Sequence, residues 1–307
     1  MEDRQACRVH LVGKDRGGGP DLDGVTGLMG QPTGRDLGPA GIADAAEEDA
    51  PSIGHGRILP VRQDDPVSSA AVPSLTRRLT AEFLGTGLLV TVVVGSGIAA
   101  QTLSHDVGLQ LLENSIATVF GLAVLILLFG PVSGAHFNPV VSVADWFVGR
   151  STRTGLSLAD VGGYVVAQVA GGLGGALLAD AMFDVPFALS GKDRLTGGHL
   201  LGEVVATAGL LALIFSLART HRATVSAPAV GAYIGAAYWF TSSTAFANPA
   251  VTVGRIFSDT FAGISPGSVL GFVAAQAVGA AVGVAVVLFL YPDAAASADD
   301  VVVPHSR

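Results

Sequence analysis

The sequence predicts an all-α membrane protein, with six transmembrane helices plus two re-entrant half-helices in an inverted repeat. Three observations predict this fold class. Half of the 307 residues are hydrophobic and 14% are charged, against about 25% charged residues in soluble domains. Six apolar runs each reach about 20 residues, enough to cross a hydrocarbon core. Two shorter apolar segments, in matching places, each contain an Asn-Pro pair.

The segment 1–75 differs from the rest of the chain in composition. It is rich in Gly, Pro and Asp and carries 12 acidic and 7 basic residues, a local charge of −5. Such a segment buries too little apolar surface to offset its ordering entropy, so 1–75 is predicted to be a disordered N-terminal extension. An alternative is a start codon assigned too far upstream. The segment 292–307 is predicted to be a disordered C-terminal tail.

The six apolar runs cover 79–100, 109–131, 158–183, 200–218, 224–244 and 268–291. If six helices alternate, the connections on one side hold Arg77, Arg78, Arg150, Arg153, Arg219 and Arg222, and those on the other hold Lys192, Arg194 and Arg255. Cytoplasmic loops carry the excess of basic residues. The bias predicts a multi-pass protein of the inner (plasma) membrane with both termini in the cytoplasm.

Two leftover segments, 131–149 and 242–263, are too apolar for ordinary loops and too short to span. Re-entrant half-helices have this character, and they occur only where they are buried in protein or line water. The segments belong to an internal repeat, since Asn138 and Asn248 stand in matching sequence contexts, as do Gln168 and Gln276. Each repeat has three spans, so the second copy enters the membrane from the opposite face, and the functional site is expected at the midplane.

The paired Asn-Pro motifs predict a pore. Asn is a favoured N-cap and Pro is favoured at the first helical position, so each motif starts a half-helix. Two half-helix N-termini, each with roughly half a positive charge, then meet at the midplane and repel cations and protons. The Asn amides can donate hydrogen bonds to a neutral solute. The motif residues are Asn138, Pro139, Val140, Asn248, Pro249 and Ala250.

Other function classes fit the sequence less well. The spans contain no paired carboxylates, metal-ligand cluster or Ser/His/Asp set, so no catalytic residue, bound metal or cofactor is predicted. The sequence contains no stripe of basic residues that would indicate nucleic-acid binding. A secondary transporter is an alternative because inverted repeats and broken helices also occur there. It is disfavoured because no ion-binding carboxylate lies beside either motif.

The segments SGAHFNPV at 133–140, FANPAV at 246–251 and AEFLGT at 81–86 resemble the aquaporin and aquaglyceroporin (major intrinsic protein) superfamily. The resemblance implies that 76–291 forms one channel domain, with one pore per subunit in a homotetramer. Its partners would be small neutral solutes and the lipid bilayer. Here the first motif has Val140 where the family usually has Ala, adding two methyl groups where the half-helices are expected to abut.

The family's spacing from the two motifs places a selectivity filter at Thr118, Ala236, Ala245 and Val251. Most members have an arginine where Val251 stands. Arg255, one helical turn later, is expected at the half-helix surface or the outer mouth, with a filter position as the alternative. The filter would be wide and weakly polar, similar to that of the bacterial branch associated with arsenic resistance. Glycerol-like polyols, undissociated arsenite and other metalloid hydroxides, and water are the expected solutes, and a water-selective channel is the alternative.

The resemblance also implies residues that support the re-entrant loops. Glu82 and Glu203 would accept hydrogen bonds from the loops, because an unpartnered carboxylate is costly in a bilayer. Gln168 and Gln276 would satisfy loop backbone groups, and His136 is expected to be a structural hydrogen-bonding residue beside the pore. Glu113 is expected to be an interfacial charge, with a pore-mouth role as the alternative. Tyr238 and Trp239 are expected to be packing or interface aromatics.

Overall fold

The computed structural model describes residues 73–150 and 154–292, and this part of the chain contains eight α-helices. They are α1 Leu75–Leu103, α2 Val107–Ser133, α3 Pro139–Gly149, α4 Leu158–Met182, α5 Gly197–Arg219, α6 Ser226–Phe240, α7 Pro249–Gly254 and α8 Pro266–Leu290. The predicted disordered extension and tail lie almost wholly outside the described residues, so the domain boundaries at 75 and 292 stay predictions.

Short polar side chains set the starts of the long helices. Asp106, Ser157 and Thr196 are the N-caps of α2, α4 and α5, and each accepts a hydrogen bond from the backbone amide three residues on, at 2.9–3.2 Å. These caps satisfy amides that the first helical turn leaves without intrahelical partners. The caps therefore fix where each apolar run begins as a helix.

Five of the described helices are long and apolar enough to cross a membrane, namely α1, α2, α4, α5 and α8. The sixth, α6, has 15 residues and continues a 3-10 turn at Ala223–Val225. It ends at Phe240, so the last residues of the predicted run 224–244 belong to the loop that follows. The prediction of an all-α fold with six spans plus two half-helices, α3 and α7, is confirmed, with α6 shorter than the other five spans.

The first and third long helices of each repeat pack closely, as α1 with α4 and α5 with α8. A Cβ atom on Gly171 or Gly175 would clash with the backbone oxygens of Phe83 or Gly87 in α1. In α8, Gly279 and Gly283 approach the α5 backbone in the same way. Glycine spacing of this kind lets membrane helices approach to backbone contact, where dispersion forces replace the missing hydrophobic drive.

The half-helices α3 and α7 begin at Pro139 and Pro249 and contact each other in the interior. The segment after α7 continues as a 3-10 turn at Arg255–Phe257. The main buried cluster draws on both repeats and surrounds this contact. The fold therefore delivers the two Asn-Pro motifs to one place between the repeats.

Candidate functional site

The two Asn side chains are held in a reciprocal arrangement. The Asn138 Nδ2 donates to the carbonyl of Ala247 at 2.8 Å, and the Asn248 Nδ2 donates to the carbonyl of Phe137 at 2.7 Å. Asn138 Oδ1 accepts from the amide of Val140 at 3.2 Å, and Asn248 Oδ1 accepts from that of Ala250 at 2.9 Å. Each Asn thus caps its own half-helix and holds the other motif's loop. An amide nitrogen has two N–H donors, so each Asn keeps one N–H that no residue in the described ranges accepts.

The loops before the motifs carry an unusual backbone. Ala135 and Phe137 have φ of 49° and 50°, and Ala245 and Ala247 have φ of 49° and 47°. Positive φ is uncommon for residues with a side chain and is retained only where the surroundings impose it. Ala245 and Ala247 follow Ala135 and Phe137 at the same sequence separation as Asn248 follows Asn138. The repeat therefore reproduces the backbone conformation as well as the motif.

Glu82 imposes this conformation on the first loop. Its carboxylate is fully buried and accepts from the amides of His136 at 2.9 Å and Phe137 at 2.7 Å. It also accepts from Ser133 Oγ at 2.6 Å and Gln168 Nε2 at 2.8 Å. All four groups are donors, so the carboxylate oxygens are fully used, as a buried acid requires.

Glu203 does the same for the second loop. It is fully buried and accepts from the amides of Phe246 at 2.9 Å and Ala247 at 2.8 Å, and from Gln276 Nε2 at 2.6 Å. The two glutamines were expected to bond to loop backbone. They donate instead to these carboxylates and to one hydroxyl each, so they act on the loops through other side chains.

Those hydroxyls belong to Ser142 and Thr252, which sequence reasoning did not single out. Gln168 Nε2 lies 3.0 Å from Ser142 Oγ, and Gln276 Nε2 lies 2.9 Å from Thr252 Oγ1. Each hydroxyl donates to the carbonyl of its own motif Asn, at 3.3 and 2.8 Å. The sequence did contain a signal for these two hydroxyls, because each stands four positions after the motif Asn of its own repeat.

A narrow cavity of about 60 Å³ passes the second Asn-Pro motif. By the same measure a single water needs roughly 10–15 Å³, so the cavity holds a few waters at a time. Most of its wall is apolar, from Leu89, Val93, Leu122, Ile126, Val141, Leu210, Ile214, Val230 and Ile234. Its polar atoms come from Asn248, His136 and the groups at one end described next.

We call the end of the cavity lined by Thr118, Tyr238, Ala245, Phe246, Val251 and Arg255 the narrow end. Its α6 side differs from the sequence prediction. Val230, Ile234 and Tyr238 line the cavity at four-residue intervals. Ala236 lies on the opposite, exposed side of α6 and does not line it, which corrects the predicted position. The physical reason is the helical period, since two residues turn a side chain by about 200°.

Tyr238 occupies the place expected for Ala236. Its hydroxyl lies 3.1 Å from Thr118 Oγ1, and both side chains are buried and line the cavity. Thr118 Oγ1 gives its single proton to the carbonyl of Asn114 at 2.8 Å, so Tyr238 is the donor to Thr118. A tyrosine that had been expected to be a packing aromatic therefore belongs to the narrow end.

The opposite wall of the narrow end combines Ala245, Phe246, Val251 and Arg255. Arg255 is only 3% exposed, with its guanidinium carbon 3.5 Å from the centroid of the Phe246 ring. Its Nε donates to the carbonyl of Ala262. Within the described residues no hydrogen bond uses its two Nη atoms. Arg255 therefore lines the cavity rather than the half-helix surface, one turn beyond Val251.

The remaining predicted residues lie as follows. The His136 Nδ1 is 3.1 Å from Ser142 Oγ, and its ring packs against the edge of Tyr164 beside the cavity. Val140 lines a separate apolar groove of about 510 Å³ between α3 and α8, which gives its extra methyl groups room. Glu113 is half-buried on α2 and is not among the residues lining the cavity.

No group of His, Cys, Asp and Glu side chains in the described ranges could hold a metal ion. The site offers instead paired half-helix N-termini, with the Asn248 amide on the wall of a mostly apolar cavity that has polar groups at one end. This arrangement can desolvate a small neutral molecule and replace part of its hydration, while the positive half-helix ends oppose a cation.

Three comparisons with known proteins found similar chains. The family model described as "Major intrinsic protein" matches residues 69–242. The chain is similar to the aquaglyceroporin AqpS of Rhizobium meliloti, with 51% identity over 217 residues, 70% of this chain and 91% of the relative. It is 33% identical over 175 residues to the glycerol uptake facilitator protein of Pseudomonas aeruginosa, covering 49% of this chain and 60% of that one.

Among solved structures, the chain is similar in fold to the aquaglyceroporin from Plasmodium falciparum. The TM-score is 0.50 with 23% sequence identity, and the match covers 71% of this chain and 96% of that one.

Proposed function

The chain belongs to the major intrinsic protein family, and we propose that within it the chain is a wide-filter aquaglyceroporin. It is a multi-pass membrane channel for small neutral solutes such as glycerol, and it is not an enzyme. The finer proposal is that undissociated arsenite and other metalloid hydroxides pass as well, together with water. The observation that carries it is Val251, a short apolar side chain on the wall of the narrow end.

Permeation would proceed by exchange of hydrogen bonds. A solute hydroxyl would accept from the free N–H of Asn248, which lines the cavity, while its carbon side lies against the apolar wall. Arsenite at neutral pH is an uncharged trihydroxide of similar size and hydrogen-bonding pattern to glycerol. A proton or metal cation would be repelled by the positive ends of α3 and α7. Within the described ranges, the carboxylates near these ends are Glu82 and Glu203, and both are fully hydrogen-bonded.

A water-selective channel is the second candidate, and Arg255 together with Tyr238 favours it. Both side chains reach the narrow end, and both reduce the width that Thr118, Ala245 and Val251 alone would leave. An arginine guanidinium and a tyrosine hydroxyl also add donors that suit water. The two candidates therefore differ on whether these groups leave room for a three-carbon polyol.

We also propose that the channel forms a homotetramer in the plasma membrane, with both termini in the cytoplasm. The bias of basic residues between alternate helices supports the orientation. The bacterial origin of the similar aquaglyceroporin AqpS supports an inner-membrane location.

The test is stopped-flow light scattering on proteoliposomes, measuring water, glycerol and arsenite flux in parallel. Val251→Arg is expected to cut glycerol and arsenite flux more than water flux, because it adds bulk and donors at the narrow end. Val251→Met is the matched control, since it adds length without charge. The wide-filter proposal fails if the wild type passes water alone, or if Val251→Arg leaves the ratio of glycerol to water flux unchanged. Saturable flux that needs an ion gradient would instead indicate a transporter.

A further inference from the structure

Three basic side chains converge on one short loop beside the end of the cavity that Arg255 lines, which the proposed orientation places outside the cell. Lys192 Nζ donates to the carbonyl of Phe261 at 2.9 Å, and Arg194 Nη2 donates to the same oxygen at 3.1 Å. Arg194 Nε donates to the carbonyl of Gly263 at 2.8 Å, and Arg255 Nε donates to that of the intervening residue. Consecutive backbone carbonyls of residues 261–263 thus hold all three cations.

The shared contacts limit how far apart the charges lie. Lys192 Nζ and Arg194 Nη2 bond to one oxygen, so no more than two hydrogen-bond lengths separate them. The guanidinium carbons of Arg194 and Arg255 lie 5.2 and 3.5 Å from the centroid of one ring, that of Phe246. We call Lys192, Arg194 and Arg255 the outer basic cluster.

The outer basic cluster has no paired carboxylate. Within 73–150 and 154–292, no ion pair joins any of the three to an acidic side chain. The nearest acids on the same loops are engaged by other donors. Asp259 Oδ1 accepts from the amide of Gly191 at 3.0 Å, and Asp193 Oδ1 accepts from the amide of Leu195 and from Ser268 Oγ.

Two of the three charges are also withdrawn from solvent, since Arg194 is 8% exposed and Arg255 is 3% exposed. A buried charge without a counter-charge is costly. Burial, followed by repulsion from Arg194 and Arg255, lowers the pKa of Lys192 to about 8, against a smaller opposing effect of Asp259. Burial likewise lowers the pKa of Arg194 to about 10, with Glu203 and Tyr238 acting in the opposite direction. An anion placed among the three would relieve this cost.

We propose that the outer basic cluster is a binding site for a small divalent oxyanion, of the sulfate or hydrogenphosphate class. A tetrahedral oxyanion presents several acceptor oxygens, and several N–H donors that converge from different directions suit it better than they suit a single halide. The free Nη atoms of Arg255 line the cavity, so the bound anion lies at the cavity entrance. It would therefore obstruct the passage of neutral solutes. The binding is independent of the proposed function, whereas the obstruction rests on it.

Binding is tested on the purified full chain in detergent by thermal unfolding, in sodium sulfate against sodium chloride at equal ionic strength. Sulfate is the probe because it keeps its charge across the range used. We expect sulfate to raise the unfolding temperature at about pH 7, and to raise it less at about pH 9.5. The sign follows from Lys192, whose charge is present below about pH 8 and lost above it.

Variants assign the effect to the cluster. Lys192→Met and Arg194→Gln should each weaken sulfate binding roughly ten-fold, since each removes a charge-assisted hydrogen bond. Lys192→Arg should keep more of the effect at about pH 9.5 than the wild type does, because a guanidinium holds its proton to a higher pH than an ammonium in the same surroundings. Arg222→Gln, which removes an exposed cation between α5 and α6, is the matched control and should bind like the wild type. If Arg194→Gln does not fold, the two Lys192 variants decide the outcome.

Flux measurements test the consequence. External sulfate should slow glycerol entry into proteoliposomes of the wild type and of Arg222→Gln, and should slow it less for Lys192→Met. The site is refuted if sulfate and chloride shift the unfolding temperature equally, or if sulfate shifts that of Lys192→Met at about pH 7 as much as that of the wild type. Sulfate binding in a protein that passes no glycerol would refute the proposed function and leave the site standing.

Discussion

Replacing Glu203 by Gln isolates the contribution of one buried carboxylate to the narrow end of the pore. Glu203 accepts three hydrogen bonds, from the amides of Phe246 and Ala247 and from Gln276 Nε2, at 2.6–2.9 Å. A glutamine keeps the shape of the side chain but turns one acceptor oxygen into a donor NH2. The most favourable orientation of the glutamine points its NH2 at the amide of Phe246. This orientation loses one hydrogen bond, whereas the opposite orientation would lose two.

The magnitude follows from those three bonds. The buried amide of Phe246 loses its acceptor, at a cost of about 1–3 kcal/mol, and the two remaining bonds lose their charge assistance, at about 1 kcal/mol each. Burying a neutral amide instead of a carboxylate offsets part of this cost. We expect a net loss of about 2–4 kcal/mol, or roughly 4–16 °C in the unfolding temperature for a domain of this size.

Thermal unfolding in detergent and glycerol flux in proteoliposomes are the two assays. Because Phe246 lies on the cavity wall, the loosened loop should also lower flux per inserted protein. Glu113→Gln is the matched control, since Glu113 is half-buried on α2 and is not among the residues lining the cavity, and it should behave like the wild type. The reasoning is refuted if Glu203→Gln unfolds and conducts like that control.

Three further substitutions test other parts of the structure. Gly175→Ala should destabilise the protein by about 1–3 kcal/mol, because its Cβ would clash with the α1 backbone. Gly174→Ala, beside open space, should not destabilise it. Equal unfolding temperatures of the two variants would contradict the close approach of α1 and α4. Tyr238→Phe should raise glycerol flux more than water flux, because it removes the hydroxyl bonded to Thr118; an unchanged ratio would place Tyr238 outside the solute path. Asn248→Ala should lower flux and cost about 0.5–2 kcal/mol through the lost cap, and wild-type flux at normal membrane levels would contradict the role of the paired amides.

Sequence periodicity and repetition were enough to predict the architecture. The lengths of the apolar runs require membrane helices, and three spans per repeat require inversion. Asn-Pro is a strong helix start, so the positions of α3 and α7 follow from two residues each. The comparisons confirm the family, as the resemblance of the motifs had indicated.

The side-chain composition of the narrow end could not be read from spacing along the chain. Ala236 and Tyr238 are two residues apart, which places them on opposite faces of α6, and a small shift in the preceding loop decides which one faces inward. Arg255 stands where α7 ends after six residues and a 3-10 turn follows, and the structure brings its side chain to the cavity wall. Helix phase and helix length depend on packing against the other elements, which local sequence does not encode.

The sequence by itself thus determined the number of helices, the repeat and the paired motifs, because each depends on local hydrophobicity and local capping. Only the tertiary structure decided which groups meet across the cavity. Lys192 and Arg194 lie before α5 and Arg255 lies after α7, yet the three side chains bond to three consecutive carbonyls. Such a convergence is a property of how loops from different parts of the chain pack, and no pattern along one stretch of chain contains it.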